Sequence, residues 1–479
     1  MIPTMGRDSI DLGSLADVVA GPLGGRIVGD PSVVVSGMTH DSRLVSPGVL
    51  FACVRGHDHD GHAYAAPAVA AGAACLLVDH EVPLAVPQLI VADTRQAMGP
   101  VAAAVYGRPS DALTMVGVTG TNGKTTTTHL LAAILRAAGQ PTGMIGTLSG
   151  PHTTPEAPEL QERLARFKDD GDVAVVMEVS SHALSLHRVD GTRFAVAVFT
   201  NLGTDHLDLH GSVEQYFRAK ARLFAPDLAG RGVTNVDDPH GRLLFDAAPI
   251  EMVPYSIGDV TDLVVTADRH TFTWLGRHIE VGLGGRFNVL NSLAAATTAA
   301  TLGIELDAIA EGLAGVHAVP GRFERVDVDR ESAPTVIVDY AHTPDSLAEI
   351  LGAARQTTDG SVLVVFGCGG DRDAGKRPQM GAVAAQMADR VIVTSDNPRS
   401  ERPGAIIDAV VAGIAASDRS KVDVEEDRAA AIERALQLAS PRDVVVVAGK
   451  GHETTQTIGA KVVPFDDRAV VRRLLEQRT

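Results

Sequence analysis

The stretch from Thr114 to Gly139, TMVGVTGTNGKTTTTHLLAAILRAAG, starts as a run of apolar and β-branched residues and passes through a glycine-rich turn. It then enters a segment whose Leu130, Leu131, Ile134 and Leu135 recur at helical spacing. A buried strand, a tight loop and a helix in that order call for an α/β layer architecture. The loop is built for an anion. Gly120 and Gly123 leave room for backbone N–H groups to turn toward a phosphate, Lys124 adds a point charge, and Thr125 offers a hydroxyl to Mg²⁺ at a helix N-terminus. The generic phosphate loop has a glycine where Val118 stands, so Gly120-Thr121-Asn122-Gly123-Lys124-Thr125, followed by Thr126, is a compact variant. A bound nucleotide is the expectation.

A chain of 479 residues exceeds what one hydrophobic core organises, so two to four domains are expected. Its formal charge of -17 disfavours nucleic acid and anionic membrane as non-specific partners, and any anionic substrate must be met by local basic groups. Cys53, Cys75 and Cys368 are few, far apart and odd in number, which fits a reducing cytosol and supplies no metal-ligand pair. The N-terminus lacks the basic and then apolar pattern of a signal peptide. The longest uncharged run, Ala63 to Val78, is broken by Pro67 and Gly72, so no membrane insertion is expected and the chain is placed in the cytoplasm.

Residues 1–110 read as a first α/β unit with strands at Val33 to Val35, Val49 to Val54, Ala74 to Val78 and Leu89 to Val91. His57, His59 and His62 are irregularly spaced and read as a solvated loop rather than a metal site. Gly107-Arg108-Pro109-Ser110 reads as a linker. The second unit, 111–319, holds the phosphate loop. Gly146 to Pro158 is a candidate binding loop, and the apolar strand Val173 to Met177 ends in Glu178, followed by Val179-Ser180-Ser181-His182. A second such strand, Phe194 to Phe199, runs into Thr200 to Asp208, which includes Asp205 and His206. Two strand-end clusters beside a phosphate loop favour a metal-phosphate site. Ser212 and Gln215 start a helix through Phe224 on which Val213, Phe217, Lys220 and Phe224 share a stripe. A lysine centred on a buried stripe must be paired, neutralised or chemically altered. Asn288 and Asn291, at a helix start, suit a ligand and a cap equally.

The third unit, 320–479, alternates strands (Val336 to Val338, Val362 to Phe366, Val391 to Thr394, Val444 to Val447) with helices, the rhythm of a doubly wound, Rossmann-like sheet. A polar cluster follows each strand. These are Asp339-Tyr340-Ala341-His342, Gly367 to Asp373 with Arg372, Asp396-Asn397-Pro398-Arg399, and Gly449-Lys450-Gly451-His452-Glu453. Ligands of open α/β sheets sit beyond the carboxyl ends of the strands, so these clusters point to a small polar ligand bearing both charges.

Over the whole chain the segments GTNGKTTT, MEVSSHAL, NLGTDHLDLHG, RFNVLN, PGRFERV, DYAHTPDSL and GKGHE resemble, in order, the motifs of the Mur ligase family, ATP-dependent enzymes that build the peptide stem of bacterial cell-wall precursors. The N-terminal DSR with LFACVRGHDHDGH, the TTPE loop and DNPR resemble the member that performs the third addition. The resemblance implies three domains: an N-terminal uridine-binding α/β domain, a central ATPase domain and a C-terminal amino-acid-binding domain. It implies ATP and Mg²⁺ as cofactors and UDP-N-acetylmuramoyl-L-alanyl-D-glutamate and meso-diaminopimelate as substrates, with the chain acting as a monomer. By the same resemblance Ser42 and His57 would meet the uridine end, and Thr153, Thr154, Ser180 and Arg188 the muramoyl dipeptide and its phosphates. Glu178, His206 and a carbamylated Lys220 would join Thr125 on the metal. Asn288 and Asn291 would face adenine, Arg322 the γ-phosphate and Asp339 the ribose, while Arg372, Asp396, Asn397, Arg399, Gly449 and Glu453 would bind diaminopimelate. The departures from the pattern are a short loop between Gly146 and Thr153, Leu186 in place of a glutamine and Thr204 in place of an arginine.

The implied chemistry is phosphorylation of a carboxylate to an acyl phosphate, with Lys124, Arg322 and Mg²⁺ offsetting the repulsion between two anions, followed by attack of an amine. The amine must lose a proton, and His342 is the candidate acceptor. Competing readings are a lysine-adding ligase, a relative of folylpolyglutamate synthetase, and a phosphate-loop ATPase that switches a partner.

Overall fold

The computed structural model describes residues 9–56, 59–203, 205, 207–326 and 333–477. Three sheets carry the architecture. The first has five strands in the order Arg26–Val28, Gln88–Ile90, Cys75–Val78, Val49–Ala52, Gly37–Thr39, all parallel except the first. The middle sheet has six parallel strands in the order Glu251–Tyr255, Ala229–Asn235, Phe194–Phe199, Thr114–Thr119, Ala174–Glu178, Thr142–Ile145. The last has six, in the order Glu324–Arg325, Thr335–Asp339, Val444–Ala448, Val362–Phe366, Arg390–Val393, Val422–Val424, with only the first antiparallel. The strands expected from apolar runs are all present, with ends that differ from the expectation by no more than two residues.

Alternation along the middle strands sorts side chains to two faces. Val116, Val118, Val176 and Val198 pack against Leu130, Leu131, Ile134 and Leu135 of the helix Lys124–Ala137 and against the helix Arg286–Thr301. Met115, Val175, Met177 and Ala197 pack on the other side against Leu160 and Leu164. Both faces being covered is why these strands read as continuous apolar runs. The chain leaves Thr114–Thr119 toward one edge of the sheet and later returns on its other side as Phe194–Phe199, so the phosphate loop lies at the switch point of strand order.

The expected linker at Gly107 to Ser110 is a packed junction. Arg108 turns at φ 49, Pro109 and Ser110 are buried, and the Ser110 hydroxyl accepts from Arg193 N. Ala157 and Ala165 of the helix Ala157–Asp169 join the same apolar cluster as Ala97, Met98 and Val101 of the first unit. At Gly99 any side chain would collide with the Asp190 carbonyl, so the first unit approaches the middle one backbone to backbone. At the other boundary Val319 packs in the middle core and Phe323 in the last, which leaves Arg322 between them.

The helix Val213–Ala221 continues as a tighter turn, Arg222–Phe224. Its buried face is rotated from the expected stripe: Val213 is exposed and Tyr216 lies inward with Lys220. The reason is polar, since the Tyr216 hydroxyl finds Thr121 Oγ1 at 3.1 Å. Among the described residues no helix is long and apolar enough to cross a membrane.

Candidate active site

The strand Thr114–Thr119 delivers the loop, and glycine is required twice in it. A Cβ on Gly120 (φ 148) would strike Thr200 Oγ1, and one on Gly123 (φ 85) would strike Asn291 Oδ1. The neighbouring strand end pins the loop from outside, because Asn122 N donates to Asn201 Oδ1 at 2.9 Å and Thr200 Oγ1 donates to Asn122 O at 2.6 Å. Lys124 Nζ closes it from inside, donating to Gly120 O at 2.9 Å and Thr121 O at 2.8 Å. Burial lowers the Lys124 pKa, while the charges of Glu178 and Asp205 act to raise it.

Glu178, buried at its strand end, accepts from Thr125 Oγ1 at 3.0 Å and from Thr147 N at 2.8 Å. Arg322 Nη2 reaches the same Thr125 hydroxyl at 3.1 Å, and its guanidinium lies 4.5 Å over the Tyr340 ring. Lys220 Nζ donates to Gly120 O at 2.8 Å and stands 4.4 Å from the centre of the Tyr216 ring. Burial and then the charge of Lys124 hold its pKa well below that of a free lysine, with Asp205 acting the other way. The oxygens of Thr125 and Glu178 suit a hard cation such as Mg²⁺. Lys220 suits it only after its amine has gained a carboxylate. His206, expected beside them, lies outside the described residues, as does His57.

A cavity of about 270 Å³ joins Thr121, Asn122, Gly123, Lys124, Thr125, Thr126, Thr153, Glu178, Ser180 and Asp205 to Phe287, Asn291, Arg322, Asp339 and His342. The open question at Asn288 and Asn291 resolves into two roles. Asn288 donates back to Gly284 O at 2.7 Å and accepts from Asn291 Nδ2 at 2.9 Å, so it orients Asn291, which is the one that lines the cavity. Gly285 precedes that helix, and its start has no side-chain cap. The Asp339 carboxylate accepts from Phe323 N at 2.6 Å and Ala341 N at 2.7 Å; burial raises its pKa, partly offset by Arg322. His342 faces this same cavity. Its Nδ1 is 2.9 Å from Tyr340 O, and burial, with Lys376, pushes its pKa down to about 4. So lowered, the ring is a weaker base than a free histidine for the role of amine-proton acceptor expected of it.

Thr153 Oγ1 lies 3.0 Å from Thr147 Oγ1. Thr154 Oγ1 donates to Glu178 O at 2.9 Å and accepts from Ser180 N at 3.0 Å, and Ser180 Oγ caps the helix Ser181–Ser185. Arg188 Nη1 donates to Thr154 O at 3.1 Å. The loop before them thus turns back onto the strand end of Glu178.

A second cavity lies between the middle and last units, lined by Thr147, Gly150 and Pro151 on one side and by Asn397, Arg399, His452, Glu453 and Thr457 on the other. Glu453 Oε2 accepts from Asn397 Nδ2 at 2.7 Å and from the buried Lys450 Nζ at 2.9 Å. Arg399, at φ 50, is anchored by its own N–H to Thr457 O at 3.0 Å and by Nη1 to Gly370 O at 2.6 Å. Glu401 is taken by Arg377 through two bonds of 2.9 and 2.7 Å, which removes it as a partner for Arg399. Asp396 is buried behind Gly449, whose missing side chain leaves room for its carboxylate, and burial raises the Asp396 pKa against the charges of Arg428 and Lys450. Arg372 is exposed, with its stem near Gly369. Ser42 sits in a short turn of the first unit headed by Asp41 and lines neither cavity.

His62 is not solvated as expected. Its side chain is 8% exposed and held between Asp60 at 2.6 Å and Asp79 at 3.2 Å, with His80 stacked on it. Arg55, 2.7 Å from Asp79, supplies a counter-charge there, and the ligand-type atoms of His62, Asp79 and His80 lie within 4.8 Å of one another. Sequence reasoning missed Tyr216, Thr147 and Arg377. The one legible hint was Tyr216 four residues before Lys220, one helical turn away.

Three family models match this chain: "Mur ligase family, catalytic domain" over 34–106, "Mur ligase middle domain" over 118–299 and "Mur ligase, glutamate ligase domain" over 321–451. The chain is 46% identical to the UDP-N-acetylmuramoyl-L-alanyl-D-glutamate--2,6-diaminopimelate ligase of Synechococcus elongatus, with 93% of this chain and 95% of that protein covered. It is 45% identical to the ligase of the same name from Streptomyces coelicolor, with 94% of each covered. A solved structure of a UDP-N-acetylmuramoyl-L-alanyl-D-glutamate--2,6-diaminopimelate ligase is 32% identical, has a TM-score of 0.68 and covers 98% of this chain and 99% of that one.

Proposed function

This chain belongs to the Mur ligase family, and from that premise we propose that it joins meso-diaminopimelate to UDP-N-acetylmuramoyl-L-alanyl-D-glutamate at the expense of ATP, in peptidoglycan precursor synthesis. The observation that carries the choice of amino acid is Arg399. It stands at the second cavity with its backbone and one guanidinium nitrogen already anchored, and its nearby acid Glu401 is occupied by Arg377. A guanidinium held in this way suits the far carboxylate that distinguishes diaminopimelate from lysine.

In this reading the phosphates of ATP lie on the backbone N–H groups of the loop at Gly120 to Thr125. Lys124 and Arg322 face them from the loop and from the start of the last unit. Asn291 faces the base, and Asp339, which keeps lone pairs free on both oxygens, accepts from the ribose hydroxyls. Mg²⁺ would be held by Thr125, Glu178, His206 and a carbamylated Lys220, and it would neutralise charge between the phosphate and the attacking carboxylate. The D-glutamate γ-carboxylate attacks the γ-phosphorus, ADP leaves, and an acyl phosphate forms. Thr147 and Thr153 stand at the cavity between the two cationic groups and the second cavity, so the activated carbon would face the incoming amine. The amine replaces phosphate at that carbon, forming the amide and releasing inorganic phosphate and a proton.

The test is phosphate release by the purified chain with the UDP-dipeptide and each of diaminopimelate, lysine and ornithine. Release that needs both the UDP-dipeptide and diaminopimelate supports the reading. Equal release with lysine overturns the choice of amino acid, and release without any amino acid favours an ATPase switch.

A further inference from the structure

Glu156 follows the loop that carries Thr153 and Thr154, and its carboxylate joins two arginines from different units of the fold. Its Oε1 is 2.8 Å from Arg188 Nη2, and its Oε2 is 2.7 Å from Arg95 Nη1 in the first turn of the helix Thr94–Val105. The three side chains are only 12%, 13% and 20% exposed for Arg188, Glu156 and Arg95. Arg188 is gripped a second time, by Thr154 O at 3.1 Å, while its buried Nε has no hydrogen-bond partner among the described residues.

We propose that Glu156 is the positioning residue that fixes the Arg188 guanidinium for the phosphates of the UDP-linked substrate and, through Arg95, holds the first unit against that anion site. The inference rests on the reading above, in which Arg188 meets those phosphates. One carboxylate shared by two guanidiniums leaves a surplus positive charge, so the triad stays attractive to an anion. Arginine does not deprotonate in proteins, so burial cannot discharge it. Pro155 sets its own φ between Thr154 O and Glu156, so both grips on Arg188 come from one stiff turn. The uridine end of the substrate is expected on the first unit and the reacting end on the middle unit. A single rigid contact between the two would keep one elongated ligand in register at both ends.

The test compares Glu156→Gln, Arg95→Ala, Arg188→Ala and Glu156→Gln with Arg188→Ala combined, in the full chain. Glutamine has one accepting oxygen, and its amide nitrogen is a donor, so it can hold one guanidinium but not both. Glu156→Gln should raise the Michaelis constant for the UDP-dipeptide about tenfold, the scale of a hydrogen bond to a charged group, with those for ATP and diaminopimelate and kcat near wild type. Arg95→Ala should move the same constant in the same direction by less. The double variant should bind the UDP-dipeptide no more weakly than Arg188→Ala alone, because Glu156 acts through Arg188. A wild-type or lower constant in Glu156→Gln, beside a raised one in Arg188→Ala, overturns this inference alone; so does an additive double variant, or a fall in Tm with all constants unchanged. A wild-type constant in Arg188→Ala overturns the placement of the phosphates and this inference with it.

Discussion

Lys124 and Lys220, from two different helices, both donate to the carbonyl of Gly120, at 2.9 and 2.8 Å. Two ammonium groups on one oxygen repel each other, and Lys220 is the more deeply buried of the pair, with an aromatic ring on one side. Carbamylation of Lys220 would turn that repulsion into attraction, since the lysine carbamate is an anion.

Lys220→Ala should therefore lose most ligase activity, and short carboxylic acids should restore part of it by supplying the missing anion. With ¹³C-labelled bicarbonate the wild type should show a carbamate carbon resonance that Lys220→Ala lacks. Near-wild-type turnover in Lys220→Ala without additives would exclude the assignment.

The acyl phosphate has an isotopic signature. Oxygen-18 placed in the D-glutamate γ-carboxyl should appear in the released phosphate, because the carboxylate oxygen bridges to phosphorus before the amine displaces it. Unlabelled phosphate would mean that water attacks ATP directly.

Arg399→Ala should raise the Michaelis constant for diaminopimelate steeply while sparing those for ATP and the UDP-dipeptide. Arg399→Lys should recover only part, since an ammonium cannot reproduce the guanidinium fork. For the wild type, lysine would lack the carboxylate that the arginine is held to pair with, a discrimination of about 10⁴ or more. Comparable kcat/KM for lysine and diaminopimelate in the wild type would contradict it.

His270 gives the fold an acid sensitivity. It is fully buried, Nδ1 lies 2.7 Å from Leu283 O, and burial lowers its pKa to about 4. Unfolded, it titrates near ~6.5. Between those values the unfolded chain binds the proton and the folded one does not. Stability from this group is therefore full above about pH 6.5 and declines as pH falls toward 4, by at most about 1.4 kcal/mol per pH unit. Glu349, raised to about 7 by burial, acts in the opposite sense over part of the range. Urea midpoints measured from pH 7 to 5 should fall less steeply in His270→Gln than in the wild type, and equal slopes would refute the assignment.

Arg428 and Asp467 form a fully buried pair with two bonds of 2.8 Å, and Arg428 also reaches Ala448 O at 2.9 Å, tying the helix Asp467–Glu476 to the strand end that precedes Gly449. Arg428→Ala should cost about 3–5 kcal/mol by leaving Asp467 charged and alone. Arg428→Met with Asp467→Leu should recover most of that in thermal unfolding. A double variant as unstable as Arg428→Ala would argue against a lone-charge penalty.

The sequence by itself determined which segments are buried strands and where the polar groups cluster at their carboxyl ends. These properties are local: alternation, glycine placement and the length of apolar runs survive in a linear reading. The same reading carried the phosphate loop and Glu178, and it flagged Lys220 as a charge on an apolar stripe. It left Asn288 and Asn291 open between ligand contact and helix cap, and it placed Val213 where Tyr216 lies. Only the tertiary structure decided which distant groups share a partner. Lys220 meets Gly120 across 100 residues, Arg322 meets Thr125 across 197, and Glu156 meets Arg95 across 61. It also turned the expected linker at Gly107 to Ser110 into a packed junction and gave Glu401 to Arg377 rather than Arg399. Such pairings depend on strand order and on how closely two backbones approach. Hydrogen bonds act over about 3 Å, a distance that sequence spacing does not encode once the chain has crossed between layers.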